Sequence, residues 1–218
     1  PFIKIENCHI LGSIRLLGMG VNKSYELLAK ASRRADFTAV AQRNAPSNVM
    51  VKNSRITADG SIAFYVGPGV HDVQLLYSRI DGHSPLAIYL DHESRSNAIR
   101  GNVIDLHGNR EMIAIDGSAN NRIVDNEIVL RGEPAIRLYR NCGERGVIRH
   151  QTPSDNIIRD NVLTIVGQPP RALIVENARK GKGSVCKDDA GYPFGSSIDD
   201  MDHAERNRID GNRVKARR

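Results

Sequence analysis

The chain has 218 residues, a net charge of +6, 40% hydrophobic residues and 5% aromatic ones, with no tryptophan. That length suits one domain or a short solenoid, and the basic balance favours acidic partners. Charge without a recognised motif makes no case for nucleic acid, and no apolar run approaches the ~20 residues of a membrane span.

Residues 1–17 read as a first repeat unit carrying Ile5-Cys8-Ile10. From 18 to 46 the pattern is interrupted, and Lys23 through Ala35 reads as a short helix with Asn22 or Ser24 as its cap. The phrase returns as Val51-Ser54-Ile56 and Leu75-Ser78-Ile80. It then takes a full N-x-I-x-x-N-x-I form at Asn97-Ile99-Asn102-Ile104 and at Asn121-Ile123-Asn126-Ile128. Two later copies are Asn156-Ile158-Asn161-Leu163 and Asn207-Ile209-Asn212-Val214. The second slot of the phrase advances by 46, 24, 24, 24, 35 and 51 residues, and three equal steps mark a repeat architecture.

A leucine-rich repeat would show an L-x-x-L-x-L phrase and a helical half, and neither is present. Each unit instead holds short alternating Ile/Val stretches, as half-buried strands require. The second such stretch is AFYVG from Ala63, AIYLD from Ala87, MIAID from Met112, AIRLY from Ala135 and ALIVE from Ala172. The expected fold is all-β, a right-handed parallel β-helix of about six or seven coils, the hand following the rule for parallel crossovers. A β-sandwich would not keep a fixed period. We expect one domain over 1–218, with insertions at 18–46, 140–154 and 177–205 that all leave from one corner. Coils two to four would then floor a cleft walled at both ends by loops, where function tends to sit. An uncapped first coil leaves an edge unpaired, so the chain is expected to be a processed or trimmed part of a longer one.

The outward residues of the second stretch form two rows, Tyr65-Tyr89-Ala114-Arg137-Ile174 and Gly67-Asp91-Asp116-Tyr139-Glu176. Coils lie about 4.7–4.9 Å apart, so Asp91 and Asp116 become adjacent carboxylates. Such a pair repels unless it shares a proton, holds a cation or meets a basic group. His92, Glu93 and Arg140 fall at the same corner. This set has the parts for chemistry on a uronic acid polymer. Arg137 or Arg140 would neutralise the sugar carboxylate, His92 would take the C5 proton and Tyr89 would act as acid, with Asp91 and Asp116 beside them. Tyr65, Glu93, Tyr139, Arg140 and Glu176 would contact the sugar. Two carboxylates could instead serve glycoside hydrolysis. Blander readings stand beside these: Asp91 and Asp116 accepting corner N–H bonds, His92 as an ordinary corner histidine, and Arg137 bridged to Asp116.

Cys142 and Cys186 both lie in insertions one coil apart, so a disulfide between them is expected and implies an oxidising compartment. Cys8 fills a ladder slot as a free thiol. No metal-ligand spacing is present, which argues against zinc. The acidic loop Asp188, Asp189, Asp199, Asp200 and Asp202 could hold Ca²⁺, though without EF-hand spacing.

The N-x-I-x-x-N-x-I phrase resembles that of the pectate-lyase-like superfamily of right-handed parallel β-helices, over nearly the whole chain. Asp91-His92-Glu93 is similar to the Asp-Pro-His-Asp element of β-helical alginate epimerases, lacking the Pro and ending in Glu. The resemblance implies the fold, and through that short element a base role for His92. The superfamily holds lyases, hydrolases, epimerases, tailspikes and adhesins, so function must come from the site. The expected function is a secreted or periplasmic protein that binds, and processes by lyase or epimerase chemistry, an acidic polysaccharide or oligosaccharide. The alternative is a non-catalytic carbohydrate-binding or structural spike-like module.

Overall fold

The computed structural model describes residues 2–19, 25–179 and 191–217. Coil one is β1 (Ile3–Glu6), β2 (His9–Leu11) and β3 (Ile14–Leu16), followed by α1 (Tyr25–Ser32) and α2 (Phe37–Arg43). Coil two is β4 (Ser47–Lys52), β5 (Arg55–Asp59) and β6 (Phe64–Val66); coil three is β7 (His71–Leu76), β8 (Arg79–His83) and β9 (Ile88–Leu90). Coil four is β10 (Ala98–Arg100), β11 (Val103–His107) and β12 (Ile113–Asp116); coil five is β13 (Arg122–Val124), β14 (Glu127–Leu130) and β15 (Ile136–Tyr139). Coil six is β16 (Ile157–Arg159), β17 (Val162–Val166) and β18 (Ile174–Val175), and coil seven ends on β19 (Arg208–Asp210) and β20 (Arg213–Arg217). Like strands of successive coils pair into three sheets of seven, seven and six strands. Every pairing is parallel, so the fold is a parallel β-helix.

The period of 24 exists because inward residues stack on their own kind. Ile56, Ile80, Ile104 and Ile128 form one fully buried column, and Leu75, Ile99, Ile123 and Ile158 another. Between them run two polar ladders. The Asn102 side-chain oxygen accepts from Ser78 N at 2.8 Å, Asn126 accepts from Asn102 N at 3.0 Å, and Asn161 and Asn212 continue the series. Ser54 and Ser78 fill the same slot with hydroxyls, so Cys8 N and Ser54 N each find an acceptor at 3.1 Å. Asn97, Asn121, Asn156 and Asn207 form the second ladder. Each buried corner N–H is thus answered by the next coil, which is what burial of backbone requires. The residue ahead of each slot takes a left-handed turn; in the Asn102 ladder Asn, Asp or Gly supplies it everywhere except at Tyr77, and in the Asn97 ladder Ser96 and Arg206 take it as well as Asn120 and Asp155.

Three expectations need correction. The helix ends at Ser32 rather than running on to Ala35, its last hydroxyl bonded back to Ala29 O at 2.7 Å, and a second helix, α2, follows. The cap candidates Asn22 and Ser24 lie outside the described residues. In coil six the strand is shifted by one: Ile136 pairs with Ile174 and Arg137 with Val175, so Ile174 does not continue the Tyr89 row. Finally, the insertions do not stand as two separate walls. Leu28, Ala29, Phe37 and Ala41 of the helices pack with Val147 of the second insertion, forming a small core of their own. Cys142 is disulfide-bonded and Cys8 is free. Cys186, its expected partner, lies outside the described residues, as do Asp188 and Asp189.

A roofed cavity at the corner of coils one to three

All three insertions leave after the third strand of a coil, as the register requires, and they meet above that corner. The meeting point is the segment 147–151. Ile148 N donates to Ser32 Oγ at 2.9 Å and the His150 ring bonds Ser32 O at 2.7 Å. Arg149 N donates to Ser196 Oγ at 3.0 Å, and Ser196 N returns a bond to Arg149 O at 2.8 Å. From below, Glu93 reaches up. It is fully buried and accepts from Thr38 Oγ1 at 2.5 Å, His150 N at 2.8 Å and Gln151 N at 3.2 Å. Glu93 therefore clamps roof to floor, its carboxylate taken up by these three donors.

Beneath the roof is a cavity of about 170 Å³ whose lining includes Arg15, Tyr65, Tyr89, Asp91, His92 and Arg149. Parallel pairing of β3, β6 and β9 puts Arg15, Tyr65 and Tyr89 in one row on adjacent strands. The Arg15 guanidinium lies 4.6 Å from the centre of the Tyr65 ring. Tyr65 OH donates to Asp91 Oδ2 at 2.6 Å, and Tyr89 OH donates to Asp116 Oδ2 at 2.5 Å. Burial first, and then the neighbouring carboxylates, push both phenols well above their ordinary range. They hold their protons.

Asp91 Oδ1 collects His92 N, His92 Nδ1 and Arg149 Nη1, each at 2.8 Å. Burial alone would raise this carboxyl; the charges of His92 and Arg149 and the bonds from His92 and Tyr65 outweigh it and hold Asp91 well below the usual carboxylate range. Burial likewise opposes the charge on Arg149, but Asp116 and Asp91 more than offset it, so the guanidinium stays protonated. Arg149 Nη1 also lies against His92 Nδ1. In the neutral ring the bond to Asp91 Oδ1 places the proton on Nδ1 and the lone pair on Nε2. His92 Nε2 and Arg149 Nε are buried with no partner among the described residues.

Asp116 is adjacent but different. It accepts Tyr89 OH, Asn141 N at 2.8 Å and Asn141 Nδ2 at 2.5 Å, with Arg149 at 3.9 Å, and it is fully buried. It orients Tyr89 and does not line the cavity.

The remaining candidates lie elsewhere. Arg137 pairs with Glu111 at 3.3 Å and Glu133 at 3.4 Å, not with Asp116. Arg140 is buried and spends its guanidinium on Asp199 Oδ1, Asp199 O and Met201 O, tying down the third insertion. Tyr139 is buried, its hydroxyl between Arg110 at 2.9 Å and Glu111 at 3.4 Å. Glu176 is exposed and accepts from Asn207 at 2.9 Å. Of the expected calcium loop, Asp202 accepts Arg140 N and Arg179 N, and Asp199 pairs with Arg140 and His203. Among the described residues no group of three His, Cys, Asp or Glu is arranged to hold a metal.

The basic group at the site is thus Arg149, which sits in an insertion with no repeat register to place it. Arg15 was findable, since it opens the Tyr65–Tyr89 row one coil earlier. No helix among the described residues is long and apolar enough to cross a membrane. Compared with protein-family models, curated proteins and solved structures, the chain matches none.

Proposed function

We propose that the chain is a secreted or periplasmic carbohydrate-active protein whose cavity takes one residue of an acidic polysaccharide or oligosaccharide and removes its C5 proton. The observation that carries this reading is the buried His92 shared between Asp91 and Arg149 at the cavity floor. A sugar carboxylate drawn to Arg149 competes with His92 for the guanidinium. In the neutral ring Nδ1 donates to Asp91 Oδ1 at 2.8 Å, and the lone pair on Nε2 faces no other partner among the described residues. That is a histidine base oriented by a carboxylate. The C–H pair then forms the C4=C5 double bond as the C4–O bond breaks. Tyr89, protonated until a strong base appears, supplies the proton to the departing alkoxide. Returning a proton to the opposite face instead would give epimerisation.

The resemblance to pectate-lyase-like β-helices supports this class of substrate, and the disulfide at Cys142 supports an oxidising compartment. Hydrolysis by two carboxylates is less well supported, because Asp116 is occupied by three donors and does not line the cavity.

The test is a panel of uronic oligosaccharides and polymers in deuterated water, following ultraviolet absorbance for unsaturated ends and mass for C5 exchange. We expect one of the two signals from the wild type and neither from His92→Gln. Binding without either signal from any substrate would make the cavity a non-catalytic sugar site and overturn the chemistry.

A further inference from the structure

Seven residues occupy the left-handed position ahead of the second ladder slot: Asn7, Asn53, Tyr77, Gly101, Asp125, Asp160 and Gly211. Tyr77, at φ 48°, is the one large side chain among them. A bulky residue in this region is an outlier, and strain of that kind persists where something is gained by it. Tyr77 is 54% exposed, and its hydroxyl has no hydrogen-bond partner among the described residues. It lies against Gly101, where an added Cβ would come within 2.6 Å of the ring. The glycine, itself in left-handed backbone, leaves the ring its place on the next coil.

Tyr77 stands between two open hollows. One, of about 620 Å³, runs past Asn7, Asn53, Arg55 and Arg79; the other, of about 480 Å³, past Gln74, Arg100, Arg122 and Arg159. Together they span coils one to six, roughly 24 Å at the spacing of adjacent strands. Asn7 and Asn53 are exposed, with side-chain amides that make no hydrogen bond among the described residues. Arg122 is exposed and has no ion-pair partner among them. An exposed aromatic face, free amides and an unpaired guanidinium along one corner fit a sugar chain bearing carboxylate groups.

We infer that this corner is a second carbohydrate site, in which an acidic polysaccharide strand stacks one ring on Tyr77 and sets its carboxylates against Arg122 and its basic neighbours, away from the cavity. The choice of an acidic polymer rests on the function proposed for that cavity.

The test is Tyr77→Asn, which installs the residue that coil two carries at the same place. Asn accepts left-handed backbone, so the variant should melt at a higher temperature, and loss of folding cannot account for loss of binding. Polygalacturonate, alginate and neutral dextran are titrated calorimetrically in the His92→Gln background, which keeps the polymer intact. We expect a single acidic polymer at least to bind, with affinity about tenfold weaker in Tyr77→Asn, weaker also in Arg122→Gln, and dextran not bound. Unchanged affinity in Tyr77→Asn, or equal binding of dextran, overturns the assignment. Absence of polymer binding while the wild type still turns over short oligosaccharides removes this site and leaves the cavity; binding here with no turnover by the wild type leaves this site and removes the cavity's chemistry.

Discussion

Asn126 is the most demanding position of the ladder. Its side-chain oxygen accepts from Asn102 N and Asn102 Nδ2, both at 3.0 Å, while its Nδ2 donates to Ile99 O and Asn161 Oδ1, both at 2.9 Å. It is 1% exposed, so water replaces none of these. In Asn126→Ala the Asn102 amide N–H is left buried and unpaired, whereas Asn102 Nδ2 still reaches Leu75 O at 2.8 Å and Asn161 Oδ1 still accepts Asn126 N at 3.0 Å. One orphaned donor costs about 1–3 kcal/mol, and the lost bond to Ile99 O about 1 more, so the expected loss is about 3 kcal/mol. Asn126→Asp is more telling because it keeps the shape. Its second oxygen would face the oxygens of Ile99 and Asn161, repelling both unless it took up a proton. We expect it to be at least as destabilised as Asn126→Ala at neutral pH. Relative to wild type at the same pH, it should recover part of the loss in acid, where the carboxyl is neutral in both folded and unfolded chains. Urea unfolding followed by circular dichroism reads both. An Asn126→Ala chain within about 0.5 kcal/mol of wild type, the range of ordinary surface changes, would refute the view that the ladder pays the corner's hydrogen-bond debt.

Glu93→Gln should leave the solenoid intact but loosen the roof, since charge-assisted bonds to Thr38 and to the 150–151 backbone contribute about 1.5–3 kcal/mol each at most; faster proteolysis within 25–43 or 140–151, with unchanged far-ultraviolet dichroism, is the readout. Asp91, depressed in the folded chain, binds fewer protons there than in the unfolded one, so its contribution is fully present above the unfolded value of about 3.9 and is lost as pH falls toward the folded one. Asp91→Asn should therefore flatten the acid limb of the stability–pH curve measured by urea midpoints, and an unaltered limb would remove the carboxylate's share in it. Tyr89→Phe removes one donor from Asp116 but leaves both Asn141 bonds, so a stability loss of about 1 kcal/mol is expected; under the proposed chemistry turnover falls far more than binding, which separate kcat and KM measurements distinguish.

The rod was legible because its rule is local. A fixed step of 24 and a phrase whose Asn must meet the Asn above determine register without knowledge of any distant contact, and Tyr65, Tyr89, Asp91 and His92 followed onto the right corner. Legibility ended where that rule did. Arg149 has no coil to be counted against, so nothing in the sequence set it over Asp91. Helix α2 has no side-chain bond at its N-cap, Asp36, and its buried residues Phe37 and Ala41 complete their cluster with Val147 of another insertion. Arg137 was placed in the right row, but Glu111 and Glu133, which the row reading left out, hold it. In coil six a two-residue strand was too short to hold its register against the insertion that follows.

The roof and floor also differ in how far the chain must travel to make them. Ladder bonds of the middle coils link residues 24 apart, while Ser32 and His150 are 118 apart. Closing so long a loop delays contact formation relative to neighbouring coils. Stacking can proceed turn upon turn, whereas the cavity exists only once coil five has been laid down and its insertion has folded back over helices made long before. On a growing chain the helices near residue 30 must wait uncovered while more than a hundred residues emerge, so the segment that completes the pocket is also the one most exposed to misassembly on the way.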